Sequence, residues 1–594
     1  MVSLLNRNQP WLWALLLGLG IGVYAFGLGG QYIPTNGDEL VYIHIARQTA
    51  ESGHWLPLVS DLPNMRNTKP PLLFWQAIAA GNLPSLVAGS WGGQWTLFWL
   101  RLPSLVYTLL LTALVGAAVW RISQERTRAL MAACIYLAFF SSFRYGRPYL
   151  TSAAESFWLF LPVFSLLWFS TQKNLAEAPL QKLHEVLLVG LAWGLGLLYK
   201  SFALIAPVAA AFWLAVVLVQ PHWRWRSFVK TSLCVAASAL VALGIFGLWF
   251  AIDPDPIAVW KEFVVGENMG KMGDRLGYWH EALYGGGSSL WAQALSYAEN
   301  AGFLFGVVIG LGVVAFKQRD GLGALVRMGQ ARLPHHVLIF LAWLCVWWLV
   351  FMLPSQRSAR YVIPAMPALA ILIALYWERI ARGWFVVSLG LLGIAAVVMG
   401  RIGWTLHALG ISSALQAGIF GVLLAAILAT CVMGGLRANL TRACTVTACL
   451  LFYGAFGLLT APLDGESGRY GLGVQASLKN QRIAVPSNFN AQWERFEFLL
   501  PGNRITPFDM AQTQQADAPE KLADYLKHFD VVVWLQANPQ QTMPPCKIPC
   551  TVMASRWVVK ERHQRGEITL SNLWQPEQWL FSREWIVADG AATP

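Results

Sequence analysis

Long apolar runs recur along the first three quarters of this chain, and they constrain its fold more than any other feature. A helix that crosses a bilayer needs about 20 mostly apolar residues. Thirteen stretches approach that requirement: 10–29, 99–120, 129–143, 152–170, 183–199, 202–220, 231–251, 300–316, 335–353, 361–377, 384–400, 413–433 and 443–461. Composition agrees, with 56% hydrophobic and only 12% charged residues, about half the charged share of a soluble domain. The 30 tryptophans add to this, since Trp gathers at membrane–water boundaries. A soluble enzyme, a disordered chain and a small disulfide-stapled module are excluded. The chain reads as a polytopic α-helical membrane protein.

The net charge of +12 is not a nucleic-acid signature. Residues 465–594 hold 13 basic and 13 acidic groups, so the whole excess lies among the apolar stretches. With the N-terminus in the cytoplasm, the cytoplasmic side, with Glu185 at the end of its stretch included, carries 17 basic against 5 acidic groups, as the positive-inside rule requires. Arg7 precedes the first stretch and no small-residue cleavage site follows it, so that stretch reads as an anchor. Thirteen crossings would put residues 465–594 outside the cytoplasm. There, Ile483–Ser487, Ile505–Phe508 and Val531–Leu535 read as strands, and Ala491–Leu500 and Pro519–Phe529 as helices, giving a soluble α/β domain. Cys546 and Cys550 are the only cysteines outside the apolar stretches, and an oxidising compartment suits a bridge between them.

Ionisable residues at the ends of membrane helices are costly unless they face a polar cavity or a partner. The external loop 30–98 is too long for a connector. It opens with a helical pattern, with Asn36 or Asp38 as a cap, and an imperfect amphipathic face suggests a helix lying in the interface. Asp38 and Glu39 begin it, and Lys69 stands immediately before Pro70 and Pro71. Glu155, Lys200, Lys271, Arg275, Arg357 and Arg360 lie at other external ends, with Tyr42 and Tyr361 as further substrate-binding candidates. Carboxylates beside a cluster of cations suit a phosphate held by Lys and Arg next to a general base. The cavity must open to hydrocarbon, so the phosphate belongs to a lipid. A polyprenyl-phosphate-linked sugar fits this topology, and no nucleotide-binding glycine pattern is present.

Residues 37–55, followed by 68–75, resemble the first-loop signature of the GT-C glycosyltransferases, nearest the aminoarabinose transferase-like and protein-mannosyltransferase-like branch. Residues 194–201 resemble that family's lysine hairpin, 267–272 its second external-loop motif and 360–372 its Tyr-x-x-Pro-x-x-Pro helix. The resemblance covers 1–464 and implies a transmembrane glycosyltransferase domain with external loop helices at about 30–98 and 252–298, followed by an extracytoplasmic domain at 465–594. It implies direct, inverting transfer from a polyprenyl phosphate at the external face of the inner (plasma) membrane. The expected catalytic residues are Asp38, Glu39 and Glu155. The donor phosphate would fall to Lys69, Lys200, Lys271, Arg275, Arg357 and Arg360.

Departures from the pattern bear on metal and substrate. Val41 stands where the pattern usually has a basic residue, and Lys200-Ser201-Phe202 replaces Lys-Gly-Pro. Thr68 and Asn268 stand where relatives carry Glu and His, which argues against a metal held as in those relatives. No cofactor is expected, and the sequence leaves a divalent metal open. The acceptor reads first as lipid A or another envelope glycolipid, next as a protein Ser/Thr hydroxyl, then as an external polysaccharide. A transporter is a different class. Its charges would lie near mid-span with an inverted repeat, and neither is present here.

Overall fold

The computed structural model describes residues 10–32, 37–88, 95–170, 182–220, 224–272, 277–317, 334–465, 469–488, 491–536, 544–560, 563 and 566–590. Each of the thirteen apolar stretches carries helix. Among the described residues, seven helical segments are long and apolar enough to cross a membrane: Leu97–Ser123, Phe202–Val219, Trp225–Ile252, Ser296–Lys317, Arg382–Ala408, Ala414–Leu436 and Thr441–Asp464. Five shorter apolar helices accompany them. The stretch at 129–143 is divided, because Phe139 takes an extended ψ of 136° between Arg126–Ala138 and Phe140–Tyr145.

In chain order the elements that build the site are α1 (Pro10–Ala25), α2 (Asp38–Glu51), α3 (Pro71–Ala88), α4 (Leu97–Ser123), α5 (Arg126–Ala138), α6 (Phe140–Tyr145), α7 (Ser152–Ser170), α8 (Leu183–Leu197), α9 (Ile205–Val219) and α10 (Trp225–Ile252). Close approach between α8 and α10 depends on small residues. A Cβ on Gly190 would lie 2.6 Å from Val241 Cβ, and one on Gly194 would lie 2.9 Å from Ile245 Cβ. Small residues four apart let helices touch where lipid offers no hydrophobic drive. Arg147, 3% exposed, donates to the carbonyls of Tyr24 and Phe26, and so satisfies the C-terminal end of α1.

The sequence suggests that α2 lies in the membrane interface with one face exposed. The structure corrects this, for Glu39 and every residue from Val41 to Ala46 are buried. The helix is enclosed by the membrane bundle on one side and the C-terminal domain on the other, so an amphipathic face has no role.

The C-terminal domain is a five-stranded sheet in the order β2-β1-β3-β5-β4. Its strands are β1 (Arg482–Ser487), β2 (Arg504–Asp509), β3 (Val531–Gln536), β4 (Cys550–Val559) and β5 (Phe581–Asp589). β1 pairs parallel with β2 and β3, while β5 runs antiparallel to β3 and β4. The three expected strands and the helix Ala518–His528 are present. β4 and β5, not read from the sequence, complete the sheet. Residues 491–500 form a 3-10 turn (Gln492–Glu494) and a short helix (Arg495–Leu499) instead of one helix. Cys546 and Cys550 are bonded, with Cα atoms 6.2 Å apart.

β5 alternates between two cores: Ile586 packs on one face of the sheet, and Trp585 and Val587 pack on the other. Glu584 is fully buried, on the Ile586 side of the strand. It receives Arg556 Nε at 2.6 Å from the register-paired residue of β4, Arg495 Nη2 at 2.8 Å and the Tyr470 hydroxyl at 3.3 Å. Burial pushes the Glu584 carboxyl up, but the two guanidinium groups outweigh it and hold its pKa below the ordinary value.

Candidate active site

Gly37 precedes α2 with φ of 86°, a backbone turn that favours glycine, and makes Asp38 the first helical residue. Adjacent helical residues point about 100° apart, and the two carboxylates separate accordingly. Asp38 is 32% exposed, with Oδ2 3.1 Å from Arg360 Nη1. Glu39 is 1% exposed and turns inward, accepting Arg101 Nε at 2.7 Å, Arg101 Nη2 at 2.8 Å and the Tyr149 N–H at 2.8 Å. Arg101 also donates to the carbonyls of Leu28 and Gly30. Glu39, expected as a catalytic carboxylate, therefore fixes α2 against α4.

Lys69 precedes α3, which begins at Pro71. Its Nζ lies 2.6 Å from Glu267 Oε1, 2.7 Å from the Thr68 carbonyl and 5.8 Å from the centroid of the Tyr42 ring. Glu267 comes from a π-helical segment, Val259–Asn268. Five residues earlier in that segment, Glu262 accepts the backbone and side-chain N–H of Asn67, both at 3.1 Å. A π-turn spaces residues at i→i+5, and here it aims two carboxylates at neighbouring positions of the Lys69 loop. Asn268 donates to the Phe263 carbonyl at 2.7 Å and accepts from the Ser201 hydroxyl at 2.6 Å.

Lys200 follows α8, and its Nζ is 2.7 Å from Oε1 of the fully buried Glu155 in the first turn of α7. Oε2 of Glu155 is buried with no hydrogen-bond partner among the described residues. Lys200 also stands 5.7 Å from the centroid of the Tyr361 ring. Burial lowers the Lys200 pKa, Glu155 opposes this, and the like charges of Arg360 and Lys69 add to the lowering. Burial raises the Tyr42 phenol, helped by Asp38, Glu267 and Glu155 and opposed by Arg360. These mutual influences place Asp38–Arg360, Lys69–Glu267 and Lys200–Glu155 around one centre. Each cation faces a carboxylate, so the three pairs are formally neutral together.

Arg357 is placed elsewhere. It is 3% exposed and donates to the carbonyls of Met352 at 2.9 Å and Ser288 at 3.1 Å, with its guanidinium over the Tyr278 ring. This residue binds loops together. Arg275 and the side chain of Lys271 lie outside the described residues.

On the other side of α2, a cavity of about 540 Å³ separates the membrane bundle from the C-terminal domain. Gly37, Glu39 and Leu40 form its edge, while Leu406, Phe456 and Leu463 are among its apolar lining residues. Arg144, Arg495 and Arg556 also line it. Arg495 and Arg556 are held by Glu584, whereas Arg144 has no carboxylate partner among the described residues and lies over the Phe140 and Tyr145 rings. Sequence reading passed over Arg101. An arginine inside an apolar run was the available signal.

Residues 38–263 match the family model of dolichyl-phosphate-mannose-protein mannosyltransferases. The chain is 25% identical over 409 residues to the undecaprenyl phosphate-alpha-4-amino-4-deoxy-L-arabinose arabinosyl transferase of Edwardsiella ictaluri, covering 66% of each chain. To a second transferase of that name, from Proteus mirabilis, it is 26% identical over 411 residues, again covering 66% of each chain. The alignments thus span just under two thirds of these relatives' own length. In three dimensions the chain is similar to ArnT from Cupriavidus metallidurans in the apo state, with a TM-score of 0.58 at 14% identity, covering 98% of this chain and 99% of that one. Against the same enzyme bound to undecaprenyl phosphate the TM-score is 0.56 at 15% identity.

Proposed function

We propose that this chain, which has the fold of the ArnT-type GT-C glycosyltransferases, transfers a sugar from a polyprenyl phosphate to an acceptor at the external face of the inner membrane. The observation that carries the reading is the pairing of a partly exposed carboxylate, Asp38, with Arg360, beside the Lys69–Glu267 and Lys200–Glu155 pairs. An acceptor oxygen attacks the anomeric carbon as the bond from that carbon to the phosphate oxygen breaks, and polyprenyl phosphate leaves with the electron pair. Lys69 and Lys200 stabilise the charge that grows on the phosphate. Asp38 takes the proton when the acceptor is a hydroxyl, and orients the acceptor when it is already an anion. Arg360 fixes the carboxylate. Glu155 holds the Lys200 ammonium in a buried setting where burial alone disfavours the charge.

The acceptor we favour is a lipid, namely lipid A or another envelope glycolipid. Support comes from the cavity beside Gly37 and Glu39, whose apolar lining suits acyl chains and whose Arg144 suits an anionic headgroup. The names of the relatives from Edwardsiella ictaluri and Proteus mirabilis specify an undecaprenyl phosphate-linked aminoarabinose, which supports the donor class. A protein Ser/Thr hydroxyl is the second reading, favoured by the family model over residues 38–263. Mass spectrometry of lipid that copurifies with the protein tests the donor, and a polyprenyl-phosphate sugar is expected. Incubating the loaded protein with lipid A and with a Ser/Thr peptide tests the acceptor. Sugar appearing only on the peptide would reverse the order of the two readings.

A further inference from the structure

Helix α2 is clamped at its start by Arg101 and further along by the C-terminal domain. His44 is fully buried, with Nδ1 2.8 Å from Glu494 Oε2 and Nε2 2.6 Å from Asp61 Oδ1. Its ring stands edge-on to Trp493 with centroids 4.8 Å apart. Glu494, also fully buried, belongs to the 3-10 turn Gln492–Glu494 of the C-terminal domain and receives Arg47 Nε at 2.6 Å and Nη2 at 2.9 Å. Arg47 reaches Glu51 on its own helix at 2.9 Å and Glu497 of the C-terminal domain at 3.6 Å. Asp61, 62% exposed on its side chain, is tied back to α2 through its N–H to Gln48 Oε1 at 3.0 Å.

A neutral imidazole has one N–H and one lone pair. Here both ring nitrogens face carboxylate oxygens, so only the imidazolium form satisfies both contacts. We propose that doubly protonated His44 couples the C-terminal domain to α2 and so positions Asp38, and that loss of one of its protons loosens the coupling. The proposal rests on the reading of Asp38 given above, and assigns His44 a positioning role.

The surrounding charges support the imidazolium. Burial alone would lower the His44 pKa, but the hydrogen bond and charge of Glu494, with those of Asp61, outweigh it and hold the pKa above the ordinary 6.5. A histidine whose pKa is raised in the folded state contributes stability that is fully present below about pH 6.5. That contribution is lost as pH rises through the raised value. Above it, one carboxylate faces a lone pair of a ring that is itself fully buried.

The test uses the full chain in nanodiscs, measuring hydrogen exchange over Asp38–Glu51 and single-turnover transfer from about pH 6 to pH 9. In the wild type, protection and transfer should fall together, transfer by up to about tenfold per pH unit, the steepest slope one proton allows. Asp61→Asn supplies an amide donor to the lone pair of a neutral ring, so it should keep both readouts near their low-pH level into the alkaline range. His44→Gln should be less protected at low pH and insensitive to pH. Because Asp61 is exposed, Asp61→Asn decides the matter if His44→Gln fails to fold. Flat wild-type protection, or Asp61→Asn tracking the wild type, would overturn the coupling. Protection that falls while transfer stays level would overturn the positioning of Asp38, and would trace that failure to the site assignment instead of the coupling.

Discussion

Glu39 and Arg101 form a two-toothed ion pair, Nε to Oε1 at 2.7 Å and Nη2 to Oε2 at 2.8 Å, where α2 meets α4. Both side chains are nearly inaccessible, so removing one leaves the other charged in a dry site. Arg101→Leu should destabilise the membrane portion by about 3–5 kcal/mol. Thermal unfolding in detergent measures it. A loss below about 1 kcal/mol, the range of an exposed pair, would show that water reaches Glu39.

Asp38 and Lys69 should separate in kinetic experiments. Asp38→Asn should lower single-turnover transfer by about 10²–10⁴ while donor lipid is retained. Lys69→Ala should weaken retention as well, since a hydrogen bond to a charged group is worth about 1.5–3 kcal/mol. An acceptor that is already ionised needs no base, and Asp38→Asn then costs less. Near-wild-type transfer by both variants would remove the Asp38 loop from the reaction.

Transfer should proceed without a tightly bound divalent metal. Thr68 replaces one residue that could ligate it, and Asn268 replaces another while occupied by Ser201 and the Phe263 carbonyl. Chelator-treated protein should keep most of its transfer rate. A loss reversed by one particular ion would assign carboxylates such as Asp38 or Glu267 to metal binding.

The C-terminal domain should loosen in acid at the β4–β5 pair. The Glu584 carboxyl has a lowered pKa in the folded state. Its stabilising contribution is therefore present above the unfolded value of about 4.3 and is lost as pH falls through the lower folded value. Hydrogen exchange in the full chain should show β4 and β5 losing protection over that window. Glu584→Gln should be less protected at neutral pH and lack the acid dependence.

Residues 465–594 should lie outside the cytoplasm, if the charge bias of the loops and the thirteen crossings read from the sequence hold. A reporter fused after Pro594 should be active only on that side. Thiol labelling of intact cells should leave Cys546 and Cys550 unmodified until a reductant is added. Cytoplasmic reporter activity would remove the thirteen-crossing topology.

The sequence made legible what burial cost writes into a chain. Apolar runs located the membrane helices, and charges at their external ends marked Asp38, Lys69, Glu155, Lys200 and Arg360, which the fold brings together. Pairing was not legible. Glu39 differs from Asp38 by one position and about 100° of direction, and only the location of Arg101 decides which of them is buried. Arg357 looked like Arg360 three residues away, yet its Nε and Nη1 are taken up by loop carbonyls. β4 and β5 escaped because polar residues such as Arg556 and Glu584 interrupt the expected alternation. Their burial is made tolerable by each other across the strands, a relationship absent from either segment alone. The helix α2 was misjudged for a similar reason, since its second cover, the turn at Glu494, lies more than 400 positions away in the sequence.

The glycine pair of α8 links mid-membrane packing to the chemistry at the surface. Gly194 stands six residues before Lys200, and α8 ends at Leu197, so the helix acts as a short lever with the lysine at its tip. A methyl group at Gly194 would press on the Ile245 side chain of α10, which must yield or push the two axes apart. Such a wedge contacts neither donor nor acceptor. It would nevertheless shift the Lys200 ammonium relative to Glu155, turning a change of one carbon between two packed helices into a fault in phosphate recognition.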